Sequence, residues 1–246
     1  MNAFLRHLWI QFKMDIRERG TLMIYYLVPL VFYIVMGAVF SSINPLMKQT
    51  LSATMVIFAV TMGAVLGIPT PIVKMRESGV LRAYRVSGIP GWAVLFIQAV
   101  SAFLHLLVVS IVILVTAPLL FGAGYPQNFS AYFLTLFILL FASIALGLLI
   151  GAVARSQSVA TMLSQAIFLP TIMLGGIMFP ASMLPKSLLA IGRLLPATYI
   201  MQSFLGYTFN QPANIDPGLS LMITAVIGIV AAGLTVIRFR AIGKSL

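Results

Sequence analysis

Polar positions are scarce along this chain, and they divide it into six apolar stretches, at roughly 21–43, 51–73, 92–121, 130–154, 157–179 and 218–237. Crossing the hydrocarbon core of a bilayer takes about 20 apolar residues in helical form, and each stretch reaches that length. The pattern predicts an all-α integral membrane protein, with six transmembrane helices in a single transmembrane domain over residues 1–246. Only helices and closed barrels satisfy their own backbone in lipid.

The segments between the stretches add three further elements. Over residues 1–20, Phe4, Leu5, Leu8, Trp9, Phe12 and Ile16 share one helical arc, with Arg6, Lys13 and Arg17 across from it. Asp15 and Arg19 intrude on the apolar edge. Such a helix suits the membrane interface; on periodicity alone it equally suits a cytoplasmic extension of the first span. Between the second and third stretches, Lys74–Trp92 carries Lys74, Arg76, Glu77, Arg82 and Arg85. A short helix from Met75 to Val86, closed by Ser87-Gly88-Ile89-Pro90-Gly91, is expected within an element at about 74–91. After the fifth stretch, Pro180–Asp216 is too apolar for a solvated loop, yet Pro180, Pro185 and Pro196 forbid one continuous helix. Leu184, Leu188, Leu189 and Ile191 suit one short helix, and Tyr199, Ile200, Phe204 and Tyr207 a second. The expectation is a re-entrant hairpin on the outward side at about 180–210, turning at Pro196-Ala197-Thr198.

Within the spans, Pro29 and Pro170 should produce kinks. Gly63 and Gly67, and separately Ser143, Gly147 and Gly151, recur every four residues and permit close helix approach, within the chain or to a second copy.

Composition agrees: 61% of the 246 residues are hydrophobic and 8% charged, where soluble domains carry about 25% charged residues. The net charge of +11 raises the question of nucleic acid, but the basic residues sit in short clusters between apolar runs, which is topology information. Arg6, Lys13, Arg17 and Arg19 precede the first span; Lys74, Arg76, Arg82 and Arg85 follow the second. Arg155 follows the fourth, and Arg238, Arg240 and Lys244 follow the sixth. The alternate loops hold only Lys48, Lys186 and Arg193. The positive-inside rule therefore places both termini in the cytoplasm. A start this charged, ahead of any long apolar run, does not read as a signal peptide. The absence of cysteine excludes disulfides, Cys-ligated zinc and thiol catalysis.

Candidate chemistry is sparse. Asp15, Glu18, Glu77 and Asp216 all lie outside the apolar stretches, whereas an ion-coupled carrier normally needs a carboxylate within the membrane. His105, with Ser101 and Ser110 near it, is the ionisable group closest to a span centre, and a neutral histidine bonded to a neighbouring helix accounts for it. No carboxylate is expected to orient it. There is no HExxH, GxSxG or paired-carboxylate pattern. Gly243-Lys244-Ser245 mimics the end of a P-loop, but Arg238 stands where the first glycine belongs. ATP, if it drives this protein, binds a separate chain. Ser158, Thr161, Gln165, Phe168 and Ile172 form one face of the fifth span, with Ser164 adjacent; Thr54, Phe58, Thr61 and Val65 form a weaker face on the second. These faces either line a translocation path or make interhelical hydrogen bonds of about 0.6–2 kcal/mol each.

Two local patterns carry a resemblance. Arg76-Glu77-Ser78-Gly79-Val80-Leu81-Arg82, followed by Val86-Ser87-Gly88-Ile89-Pro90, is one. Gly175-Gly176-Ile177-Met178-Phe179-Pro180 with Leu184-Pro185, then Leu195-Pro196-Ala197-Thr198-Tyr199, is the other and the more specific. With six spans and an apolar outward hairpin, the whole chain resembles the type-2 ABC transporter permeases, the membrane halves of bacterial exporters of drugs, antibiotics, lipids and glycans. The resemblance implies a multi-pass protein of the bacterial plasma membrane, paired with a second copy or a sister permease. It implies soluble ABC ATPase subunits as partners, carrying ATP and Mg, with no cofactor in this chain. Arg17 and Arg76, Glu77, Gly79, Arg82 and Arg85 would couple to the ATPase. Glu77 would be the acidic anchor, against the alternative that it pairs with neighbouring arginines on a solvated face. Thr54, Phe58, Thr61, Thr161, Gln165 and Phe168 would line the path, and Phe179, Pro180, Leu184, Pro185, Pro196 and Tyr199 would build the hairpin. The apolar, aromatic path suits a hydrophobic or amphipathic substrate such as a drug or antibiotic; export of lipid or lipid-linked glycan is the alternative. A secondary carrier or channel, and a membrane-embedded enzyme, are the competing classes.

Overall fold

The computed structural model describes residues 3–43, 45–86, 88, 90–179 and 183–245, with side chains for all of these except 3–7, 46, 85 and 241–245. Ala3–Arg17 forms a separate helix. Glu18 ends it in an extended conformation (φ −81, ψ 111), so the segment is not an extension of the first span. The six helices long and apolar enough to cross a membrane are Arg19–Ile43, Leu51–Glu77, Gly91–Phe121, Phe129–Val153, Gln157–Leu174 and Pro217–Arg240, the last continuing to Ser245. The fifth stops at Leu174 rather than near residue 179, because the chain turns away at Gly175 and Gly176, the latter at φ +80. No strand occurs among the described residues.

The second span is the hub. Every residue from Leu51 to Met62 is buried. Protein encloses 94% of its most apolar window, while no other span exceeds 61%. A helix apolar on all sides is stable in such a place because no face has to meet water. Its neighbours come close through small residues. A Cβ added at Gly147 on the fourth span would sit 2.2 Å from the Ala64 carbonyl oxygen, and one at Gly151 would meet Ile72 at 3.1 Å and Pro69 at 3.2 Å. Gly63 and Gly67 leave room for Tyr25 of the first span, and Gly63 also for Leu106 of the third. These glycines therefore pack helices within the chain. The sixth span lies mainly on the fourth, where Gly228 admits the Phe141 ring.

Two spans contain a widened π turn, Met23–Leu27 in the first and Gly63–Gly67 in the second. Each lies two residues ahead of a proline, Pro29 and Pro69. A proline offers no N–H to the carbonyl four residues back, here Tyr25 and Val65, and its ring crowds that carbonyl. Adding one residue to the turn relieves both problems. The expected kink at Pro29 takes this form, whereas the fifth span remains one unbroken helix through Pro170.

After the fifth span, Lys186–Gly192 and Pro196–Thr208 form a helix pair bent by 94°. The last carbonyls of a helix lack intrahelical donors. Here the Thr198 hydroxyl donates to the Gly192 carbonyl at 2.6 Å and the Tyr199 hydroxyl to the Arg193 carbonyl at 2.7 Å. Gly192 lies against the Leu174 carbonyl and Gly175 against Ala197, which seats the pair on the end of the fifth span. Pro196 opens the second helix, Leu184 is half-buried, and Phe179 and Pro185 are exposed. Pro180 lies outside the described residues.

Candidate functional site

The second span runs on as helix to Glu77, so the expected single helix from Met75 to Val86 is in fact two pieces. Ser78 and Gly79 turn the chain, with Gly79 at φ +75, a conformation that glycine adopts without steric cost. Val80–Val86 then forms the short corner helix. The residues flanking this turn clamp the connection between the fourth and fifth spans. The Arg76 guanidinium donates to the carbonyl of Ala154 and, at 3.5 Å, to that of Ala152, where the fourth span ends. A cation at a helix C-terminus meets both unpaired carbonyls and the negative end of the dipole. Glu77 accepts a 2.7 Å hydrogen bond from Gln157 Nε2, at the start of the fifth span. Its carboxylate makes no ion pair with a described side chain. Arg17 and Arg82 are exposed. The side chain of Arg85 and the residues Ser87 and Ile89 lie outside the described set. Lys74 stands 3.9 Å from Glu18, an exposed pair that contributes about 0–1 kcal/mol.

Deeper in the bundle, the N-terminal helix docks on the third span through a carboxylate, which corrects the expectation that none would reach His105. Asp15 is only 6% exposed. Its Oδ2 accepts a 2.6 Å bond from the Ser101 hydroxyl and its Oδ1 a 2.8 Å bond from Gln11 Nε2. Burial raises the Asp15 pKa, and the two hydrogen bonds oppose that rise. His105 Nε2 lies 3.8 Å from the same carboxylate and makes no hydrogen bond, while the Tyr26 hydroxyl is 2.7 Å from Nδ1. The imidazole is sandwiched between Phe12 at 4.3 Å and Tyr25 at 5.5 Å, the rings within 10° of parallel. Ser110 instead bonds the Leu106 carbonyl of its own helix. One stack thus links the N-terminal helix, the third span and the π turn of the first, and Tyr25 in turn fills the notch at Gly63 and Gly67. The sequence signal was the intrusion of Asp15 on the apolar edge of its helix. Gln157, Tyr25 and Tyr26 gave no comparable signal.

The two polar-aromatic faces differ in exposure. On the second span Thr54, Phe58 and Thr61 are buried, and Thr54 bonds the Thr50 carbonyl. Phe58 stacks on Phe32 at 4.0 Å and reaches Phe168 of the fifth span at 6.0 Å, where the two faces meet. Thr61 borders a void of about 20 Å³ closed by Pro196, Ala197 and Ile200 of the hairpin. On the fifth span, Ser158, Thr161 and Gln165 lie on the outer surface, with Thr161 bonded to the Gln157 carbonyl of its own helix.

Five apolar helices around a buried central one, with a charged corner at one end and a bent apolar helix pair before the last span, define a multi-pass membrane protein. Residues 2–209 match the ABC-2 type transporter family. The chain belongs to that family. A curated relative, ABC transporter G family member 20 of Dictyostelium discoideum, is 34% identical over 98 residues, which is 39% of this chain and 13% of that protein.

Proposed function

We propose that this chain is the permease half of an ATP-driven exporter, and that the corner from Lys74 to Pro90 receives force from separate ATPase chains. The observation that carries this reading is the clamp: Arg76 and Glu77 hold the ends of the fourth and fifth spans from the turn that closes the second. Force applied to the exposed corner helix would therefore reach three spans at once. The clustering of Lys and Arg at this corner and at both termini supports a cytoplasmic position for it.

The exposed polar strip of the fifth span supports a path shared with a second permease. An amide such as that of Gln165 left in hydrocarbon costs several kcal/mol, so this strip meets either water or another copy. Thr161 and Gln165 then line the route, with Phe168 buried behind them towards Phe58. The uncharged polar groups of the strip, set among exposed apolar residues such as Met162 and Leu169, suit a hydrophobic or amphipathic compound such as a drug or antibiotic.

The test is export by cells producing the chain with its ATPase. Glu77→Ala and Gln157→Ala should each lower ATP-dependent efflux while membrane levels of the protein stay at those of wild type. Efflux unchanged in both variants would overturn the coupling role of the corner. A panel spanning cationic drugs and lipid-linked glycans assigns the substrate class, and export of glycan alone would replace the drug reading.

A further inference from the structure

A groove of about 790 Å³ runs along the outer surface between the third, fourth and sixth spans. Its size falls in the range of about 300–1,000 Å³ typical of ligand clefts. Ala99, Phe103, Phe137 and Phe141 line the deep part. Trp92 and Arg240 flank the opposite end, where Phe239 closes the floor against Gly91. From Gly91 to Phe103 the third span rises twelve residues, or about 18 Å. That is close to half of the roughly 30 Å hydrocarbon core, the depth of a single leaflet.

We propose that this groove is a binding site for an anionic phospholipid of the leaflet at the basic end of the bundle. The acyl chains lie along the apolar trough, and the phosphate is held by Arg240. Three features select this occupant. The trough is apolar over one leaflet's depth and opens sideways between membrane spans, so its natural filler is an acyl chain. The indole of Trp92, 64% exposed, marks the headgroup level. Arg240 is exposed at that level and makes no hydrogen bond or ion pair with a described residue. Its guanidinium is geometrically matched to a phosphate. The site needs only that the bundle sits in a bilayer, and does not depend on which side the basic end faces or on an ATPase.

The chain has two tryptophans, so Trp9→Phe leaves Trp92 as a single reporter at the mouth of the groove. The purified Trp9→Phe protein is reconstituted in vesicles of phosphatidylcholine containing increasing fractions of phosphatidylglycerol brominated on its acyl chains. A parallel series uses brominated phosphatidylcholine. Quenching should favour phosphatidylglycerol about fivefold, the effect expected of one basic residue at a membrane surface. Arg240→Gln should abolish the preference, while Arg238→Gln, the same charge loss at an exposed residue outside the groove, should keep it. Equal quenching by both lipids before mutation means ordinary boundary lipid and overturns the site. A preference that survives Arg240→Gln, or falls equally in Arg238→Gln, means diffuse attraction to basic surface and overturns it as well.

Discussion

Replacing Gly147 by alanine tests the hub most directly. The new Cβ would lie 2.2 Å from the Ala64 carbonyl oxygen and 3.2 Å from Ile68 Cβ. Carbon and carbonyl oxygen approach no closer than about 3.3 Å even in favourable contacts. The obstacle is backbone, so no rotamer change relieves it, and the fourth and second spans must part by about 1 Å. A gap of that size forfeits about a quarter to a half of each dispersion contact it opens, and inserted methyl groups in close-packed sites cost about 1–3 kcal/mol. Gly151, one turn further on, lies against Pro69 and Ile72, so the seam opens over two turns and the upper half of that range applies. A loss of about 2 kcal/mol changes the folding equilibrium by a factor of about 30 and lowers Tm by about 4–8 °C for a chain of this size. The assay is thermal unfolding of the detergent-solubilised protein followed by circular dichroism. Gly233→Ala is the matched control, because nothing lies within 4 Å of the added Cβ there. A Gly147→Ala protein that melts with wild type and with the control would refute the claim that this contact sets the spacing of the bundle.

Two other measurements follow from the charged end. Because burial raises the Asp15 pKa, the native state holds its proton at pH values where the unfolded chain, with a carboxyl near about 3.9, has released it. Its contribution is therefore fullest below the unfolded value and is lost as pH rises through the native value. Melting temperature should fall on going from about pH 4 towards neutrality in wild type, and Asp15→Asn should flatten that slope; parallel profiles would exclude Asp15 as its source. The chain has no cysteine, so single thiols report sidedness. In intact cells a membrane-impermeant maleimide should label Lys186→Cys and spare Arg82→Cys, and the reverse pattern would invert the proposed topology.

The six spans and the bent pair were legible because bilayer thickness fixes a length and prolines fix breaks, both of which are local properties of sequence. The clamp and the Asp15 cluster were not. Arg76 and Ala154 are 78 residues apart, and Asp15 and Ser101 are 86 apart, so only the packing of the second span on the fourth, and of the N-terminal helix on the third, brings them together. Glu77 read as an anchor or an arginine partner, and its neighbour is an uncharged glutamine at the start of another span. The faces on the second and fifth spans read alike in the sequence because period alone does not tell an enclosed helix from a peripheral one. What separates them is the set of helices around Thr54, which wraps the second span and leaves Thr161 outside.

The π turn at Gly63–Gly67 also alters how the second span is to be read as a wheel. One residue more than a regular turn advances the angular phase by about 100°. Everything beyond Gly67 is therefore rotated by that amount from the face on which Thr54, Phe58 and Thr61 lie. Drawn as an uninterrupted helix, the span assigns Arg76 and Glu77 to the wrong azimuth. With the offset included, they meet the connection between the fourth and fifth spans. Deleting one residue inside the turn would remove the bulge and the offset together and leave Arg76 and Glu77 facing their partners. The same deletion in a regular turn of this span would swing both side chains away by about 100°.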